Sequence, residues 1–217
     1  MRYLGMDTSG SVAAVALYDT EQDLFLSQQS LYTKKTHSQV ILPLVERTLQ
    51  DCGLTAADLD GIAAVKAMTF ALQLPCFGIS TLEALAYQAA TANGLCSAVM
   101  KARQNLVYAG LYQNQNGTLQ NLVPDGLYEQ TEWQQILEQQ QASVLVTGDA
   151  AASFKTEQVQ LAPASVRLQN ATGLCLAAYH HEPQTPGNST SWGGPLEANY
   201  LQLVKAEKDR QMQQKQA

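Results

Sequence analysis

Three short runs with strand character, residues 2–6, 12–18 and 24–31, open the chain, and the joints between them are too short to hold a helix. Asp7-Thr8-Ser9-Gly10-Ser11 is small and polar with a glycine, and the joint from Asp19 to Asp23 is likewise turn-like. Both suit tight hairpins, so the chain is committed to an antiparallel three-strand meander before its first helix. That helix follows from Val40, Ile41, Leu44, Val45, Thr48 and Leu49 at helical spacing, with Ser38 or Thr36 as cap and Gly53 as stop. Pro43 falls inside the pattern, at a first-turn position or a local kink. From there strands and helices alternate, which suggests parallel pairing through crossovers. The spacing predicts a buried strand over 61–65, an apolar helix over 66–74 and a short strand over 76–79. A further helix opens on the capping-box pair Ser80 and Glu83 and runs to Asn93-Gly94.

The second half starts again with strands, over 97–101, 106–112 and 126–129, with a turn at Asn114-Gln115-Asn116-Gly117. A helix over 131–140, capped by Thr131, carries Trp133, Ile136 and Leu137 on its apolar face. A strand over 144–146 and a helix over 173–181 follow. Residues 185–195 read as a Pro/Gly/Ser loop, 196–204 as extended chain, and 205–217 as a polar tail. Both halves open with strands and then alternate, so the expected architecture is α/β with two related lobes, 1–100 and a smaller 101–217.

Composition narrows the function classes. Of 217 residues, 46% are hydrophobic and only 15% charged, with thirteen basic against nineteen acidic side chains and a net charge of -6. That balance counts against autonomous nucleic-acid binding, which draws mostly on clustered Lys and Arg; it leaves room for RNA held in a complex. No apolar stretch is long enough for a membrane helix, and Asp7 interrupts the first apolar run too early for a signal peptide. Cys52, Cys76, Cys96 and Cys175 are scattered in apolar contexts without a C-x-x-C pair, which favours buried thiols in a reducing compartment. A cytoplasmic protein is expected.

The residues that could carry chemistry are few. Asp7, Thr8 and Ser9 at a strand end could hold a magnesium-bound phosphate, yet a tight hairpin uses the same residues with no ligand. No second glycine-rich loop or paired lysine accompanies them. His180 and His181 sit where the helix dipole favours them, and neighbours about 100° apart on a helix chelate poorly. No nucleophile signature surrounds Ser9, Ser80 or the cysteines. Leu42, Leu44, Val45 and Leu49 on one helix, with Met68, Phe70, Leu72 and Leu74 on the next, exceed one buried stripe each. Either these helices are sandwiched in a core, or part of their surface meets a partner.

In order, Met6-Asp7-Thr8-Ser9, His37-Ser38 before Leu42-Pro43-Leu44, Asp60-Gly61-Ile62-Ala63, Gly78-Ile79-Ser80-Thr81-Leu82-Glu83-Ala84-Leu85-Ala86, Lys101-Ala102-Arg103 with Val107-Tyr108, and Asn199-Tyr200-Leu201 form a recognisable series. It resembles the bacterial threonylcarbamoyladenosine biosynthesis family TsaB, also called YeaZ, over nearly the whole chain. The resemblance is strongest through residue 90. It implies a two-lobed fold of the actin, sugar-kinase and heat-shock-ATPase type (ribonuclease H-like), with mixed sheets flanked by helices. It implies a non-catalytic scaffold and activator subunit for adding threonylcarbamoyl to the adenosine beside the anticodon of tRNAs that read codons starting with A. The implied partners are the catalytic paralogue TsaD, which carries the metal, and the ATPase TsaE, with tRNA met only through the complex and no membrane. On this resemblance no cofactor is bound by this subunit alone, and ATP and metal sit on the partners. The implied partner surface comprises His37, Val40, Ile41, Leu44, Val45, Lys66, Thr69 and Phe70. The same helices could serve a homodimer. The reading from another class is an ATP-dependent phosphotransferase or ATPase using the Asp7 loop.

Three departures matter. Where the catalytic paralogue has a histidine pair, this sequence has Thr81 and Leu85, neither able to replace an imidazole on a metal. Where the family shows Asp-Ala-Arg, this sequence has Lys101-Ala102-Arg103. The glycine-rich segment that the family carries before the second helix is absent between Val65 and Lys66, where a strand would run into a helix with no turn residue. The expectation is a loop left out of the sequence rather than a true deletion.

Overall fold

The computed structural model describes residues 1–33, 36–63, 76–89 and 93–181. The opening meander is β1 (Arg2–Asp7), β2 (Val12–Asp19) and β3 (Leu24–Tyr32), paired antiparallel in sequence order. Then comes α1 (His37–Asp51). Thr36 is its N-cap rather than Ser38, because Thr36 and Gln39 form a reciprocal capping box. Pro43 lies well inside the helix, not in its first turn. β4 (Gly61–Ala63) and β5 (Cys76–Phe77) add parallel strands on the far side of β1. The expected helix over 66–74 and the Val65–Lys66 joint lie outside the described residues, as does everything beyond His181. α2 (Thr81–Ala89) follows Ser80.

The second sheet is built from β6 (Gly94–Lys101), β7 (Leu106–Gln115), β8 (Thr118–Glu129), β9 (Val144–Thr147) and β10 (Val159–Leu161). α3 (Gln130–Glu138) joins β8 to β9, and α4 (Ala164–Arg167) and α5 (Thr172–His181) follow β10. β6 begins at Gly94, so residue 100 falls within a strand. The N-cap of α3 is Glu129 rather than Thr131. β8 feeds straight into the helix there, and the Gln130 N–H is already satisfied by the Asn105 carbonyl at 2.8 Å. The β7–β8 joint is the two-residue turn Asn116-Gly117, with φ of 55° and 88°, the doubly positive geometry that matches strand twist.

Read outward from β1 and from β6, the two sheets have the same wiring. The orders are β3-β2-β1-β4-β5 and β8-β7-β6-β9-β10, antiparallel on one side of the first strand and parallel on the other. This doubled, mixed α/β layout is the two-lobed architecture expected from the sequence.

Alternation along each strand distributes the core among the layers. From β1, Leu4 and Met6 pack with Val15 and Leu17 of β2 against Val45 and Leu49 of α1. Tyr3, Ala14, Ala16 and Tyr18 face the other way, onto Leu174, Cys175 and Ala178 of α5. In the second sheet, Val99, Val107, Ala109 and Leu111 meet Trp133 and Leu137 of α3. On its reverse, Cys96, Ala98 and Tyr112 meet Leu82, Leu85, Ala86 and Ala89 of α2. α2 and α5 thus pack together between the sheets. Gly173 allows their close approach, since a Cβ there would lie 1.8 Å from the Ala84 carbonyl oxygen.

Candidate functional site

The end of β1 carries the most suggestive local motif of the sequence, and its polar atoms are engaged within the protein. Asp7 is 5% exposed. Its Oδ1 accepts from the Ser9 N–H at 2.8 Å and the Ser9 hydroxyl at 2.5 Å, the hydrogen bonds of a tight side-chain turn. Burial pushes the Asp7 carboxyl above the usual carboxylate range, against the opposing pull of the two Ser9 bonds and the nearby His37. Thr8 is half-buried and Ser9 exposed. Gly10 lies under Gln169: a Cβ on Gly10 would sit 2.6 Å from the Gln169 side-chain nitrogen. Gln169 is itself 4% exposed, and its Nε2 lies 3.8 Å from Met100 Sδ at the end of β6. One carboxamide therefore fills the space between the turn after β1 and the end of the matching strand of the second sheet. A phosphate would have to displace it.

Gln169 is held by the strap that carries the chain from β10 back to α5. Gln88 of α2 donates to the Val166 and Leu168 carbonyls at 3.0 and 2.7 Å and accepts from the Asn170 N–H at 3.2 Å. Asn170 then caps α5 by accepting from the Thr172 N–H and hydroxyl. Ala171 between them takes φ of 64°, a left-handed conformation costing a non-glycine residue about 1–2 kcal/mol. These glutamines escape sequence reasoning because their partners lie some seventy or more positions away in the chain and carry no local pattern.

The start of α2 is a second polar centre. The Ser80 hydroxyl accepts from the Glu83 N–H at 3.5 Å, one half of the expected capping box. The Glu83 carboxylate meets His181 Nε2 at 2.7 Å rather than reaching back. Ser80 and Tyr112 both donate to the Asp125 carboxylate on β8, so Asp125 ties the second sheet to the helix start. Burial first, and the Asp125 charge second, drive the Tyr112 phenol well above its ordinary range. His181 and His180 have specific partners beyond the helix dipole. The Glu83 hydrogen bond raises His181, whereas burial lowers His180, which stacks on Tyr87 with ring planes 9° apart. Leu85 is in the core at 1% exposure and Thr81 is half-buried. No group of three or more His, Cys, Asp or Glu able to hold a metal is found among the described residues. The Cys96 and Cys175 thiols are buried and pushed up to about 12, so they are inert.

The residues expected at a partner surface divide between the core and the outer face of α1. Val40 and Val45 point into the core at 7% and 4% exposure, because the inward stripe of α1 needs both. Ile41 and Leu44 are half-buried, and Leu42 is 49% exposed with Pro43 exposed beside it. His37, half-buried, stands at the start of the helix towards Asp7. Lys66, Thr69 and Phe70 lie outside the described residues. Among the described residues no helix is long and apolar enough to cross a membrane.

Comparison with known proteins gives these features a context. The family model described as "TsaD: tRNA N6-adenosine threonylcarbamoyltransferase" matches residues 61–179. The chain is 31% identical over 171 residues to the tRNA threonylcarbamoyladenosine biosynthesis protein TsaB of Bacillus subtilis (strain 168), covering 71% of this chain and 74% of that one. It is 26% identical over 229 positions to TsaB of Escherichia coli (strain K12), covering 88% of this chain and 97% of that one. That alignment is longer than the 217 residues here, so this sequence lacks segments that the relative has. Among solved structures, YeaZ from Pseudomonas aeruginosa superposes with a TM-score of 0.64 at 23% identity, over 82% of this chain and 91% of that one. The likeness in fold matches the doubled sheet wiring, and the likeness in sequence is the stronger finding: the chain belongs to the TsaB (YeaZ-like) family and has its two-lobed, mixed α/β fold.

Proposed function

We propose that this chain takes part in threonylcarbamoyladenosine biosynthesis on tRNA as a non-catalytic scaffold and activator subunit. It pairs with a TsaD-like catalytic paralogue, a TsaE-like ATPase joins them, and ATP and metal are held on those partners. The observation that carries this reading is the closed turn after β1. Asp7 is buried and occupied by Ser9, and Gln169 covers Gly10, so the motif that could have held a nucleotide phosphate is used structurally. The exposed edge of α1 supports the second half of the proposal, since Leu42 and Pro43 with half-buried Ile41 and Leu44 offer an apolar strip to a partner helix. A homodimer would use the same strip and compete with the heterodimer.

The test is co-purification with the catalytic paralogue, followed by a threonylcarbamoylation assay with and without this chain. Stimulation only when both are present, lost on Leu44→Glu, is the expected result. Tight ATP binding by the isolated chain that Asp7→Ala abolishes would instead favour the phosphotransferase reading.

A further inference from the structure

The described part of the molecule has six Lys and Arg side chains: Arg2, Arg47, Lys101, Arg103, Lys155 and Arg167. Arg2 is paired with Asp19 and Arg47 with Asp51, and the Arg167 guanidinium donates to the Ala162 carbonyl. Lys155 lines a groove with Glu138 and Glu157. Lys101 and Arg103 remain. Both are exposed, they sit two residues apart on the joint between β6 and β7, and neither makes an ion pair among the described residues.

The joint is rigid. The Lys101 N–H donates to Asp149 Oδ1 at 2.8 Å, and the Ala102 N–H and Leu106 carbonyl meet at 3.1 Å. The Leu106 N–H closes the turn on the Arg103 carbonyl at 3.2 Å, the Asn105 carbonyl accepts from Gln130, and Gln104 takes φ of 58°. Its position is distinctive too. Asp19, Glu21, Asp58 and Asp60 gather around Arg2 and the terminal amine at the start of β1. Lys101 ends β6, beside the opposite end of β1 through the Met100–Gln169 contact. A protein of net charge -6 thus keeps two cations that make no ion pair among the described residues on one pinned loop, on the far side from an acidic cluster. Of the carboxylates near the loop, Asp149 spends an oxygen on the Lys101 amide, and Glu129 stands opposite Leu106 at the loop's far end without an ion pair to either cation among the described residues.

We propose that the loop 101–105 is this subunit's own contact with the tRNA phosphate backbone within the modification complex, an inference that rests on the function proposed above. The acidic end faces away from the RNA, and the cationic loop meets one or two phosphates. Two such contacts cannot hold tRNA alone, consistent with the charge balance, but they orient it against the partner's basic surface.

The experiment uses the complex of this chain with its TsaD-like paralogue and measures tRNA affinity over a range of salt concentrations. Neutralising both cations (Lys101→Gln with Arg103→Gln) should flatten the plot of log affinity against log salt by about 1.4–1.8 and weaken binding about tenfold near 0.1 M salt. Lys155→Gln should change neither, and Lys101→Arg with Arg103→Lys should keep both near wild type. An unchanged slope and affinity in an assembled double-Gln complex overturns the proposal. A wild-type chain that forms no complex, seen by size exclusion before tRNA is added, overturns the underlying function as well.

Discussion

His181 and Glu83 tie the end of α5 to the start of α2 across 2.7 Å, and the charge on that pair follows pH. The folded protein holds His181 above its ordinary value of 6.5, chiefly through the Glu83 hydrogen bond. Its contribution is therefore fully present below about pH 6.5 and is lost as pH rises through the raised folded value. His180 acts in the opposite sense, since burial lowers it and stability falls as it is forced to charge in acid. Urea denaturation of wild type and Glu83→Gln should show a gap at about pH 5.5 that closes by about pH 8. A gap independent of pH would mean that the bond does not depend on the imidazolium. At this scale the sequence is legible only where partners are near neighbours, as with the Ser80 hydroxyl and the Glu83 N–H. Asp125, Gln88 and Gln169 act on groups far off in the chain, and no spacing rule marks them.

Elements were more legible, because turn chemistry is local. The hairpin at Asn116-Gly117, the stop at Gly53 and the meander of β1 to β3 all announce themselves through small or polar residues at the joints. β10 did not, since Val159-Gln160-Leu161 is three residues long and two of them are exposed. β8 extends well beyond the expected 126–129, because Pro124 and a polar stretch hide a twelve-residue edge strand with register shifts where it meets β7. Two glycines separate conformational from steric cost. Gly117 has φ of 88° and nothing within 4 Å of an added Cβ, so Gly117→Ala should cost about 1–2 kcal/mol through backbone strain alone. Gly173→Ala drives a methyl group onto the Ala84 backbone and forces α2 and α5 apart, which should cost about 3 kcal/mol. Denaturant midpoints of the two variants decide the order, and a milder effect at Gly173 would contradict the described helix contact.

For the whole molecule, α1 offers a sharp contrast between surface and core. Leu42→Asp should change stability by no more than about 0.5 kcal/mol while weakening the proposed association with a catalytic paralogue. Val45→Asp, one turn away but buried at 4%, should cost about 3 kcal/mol or more and abolish association by unfolding the lobe. Circular dichroism melts alongside pull-downs distinguish the two. Periodicity placed both residues on one helix but could not say which side of a two-sided stripe is covered, because that depends on β2 and β3 packing beneath it.

The crossing of α5 back onto β1 bears on how this protein is made. Cys175 of α5 touches the carbonyls of Tyr3 and Ala16, residues synthesised some 160 to 170 positions earlier. When the ribosome has completed the first sheet, one of its faces is still bare, with Tyr3, Ala14, Ala16 and Tyr18 waiting for a helix not yet translated. The second sheet in turn leans on α2, which comes from the first half. Neither lobe can finish alone. A fragment ending at residue 93 should therefore lack a cooperative melt, and the full chain should unfold in one calorimetric transition despite its two sheets. The nascent first half, exposing an unfinished apolar face until α5 arrives, is where a chaperone would be needed.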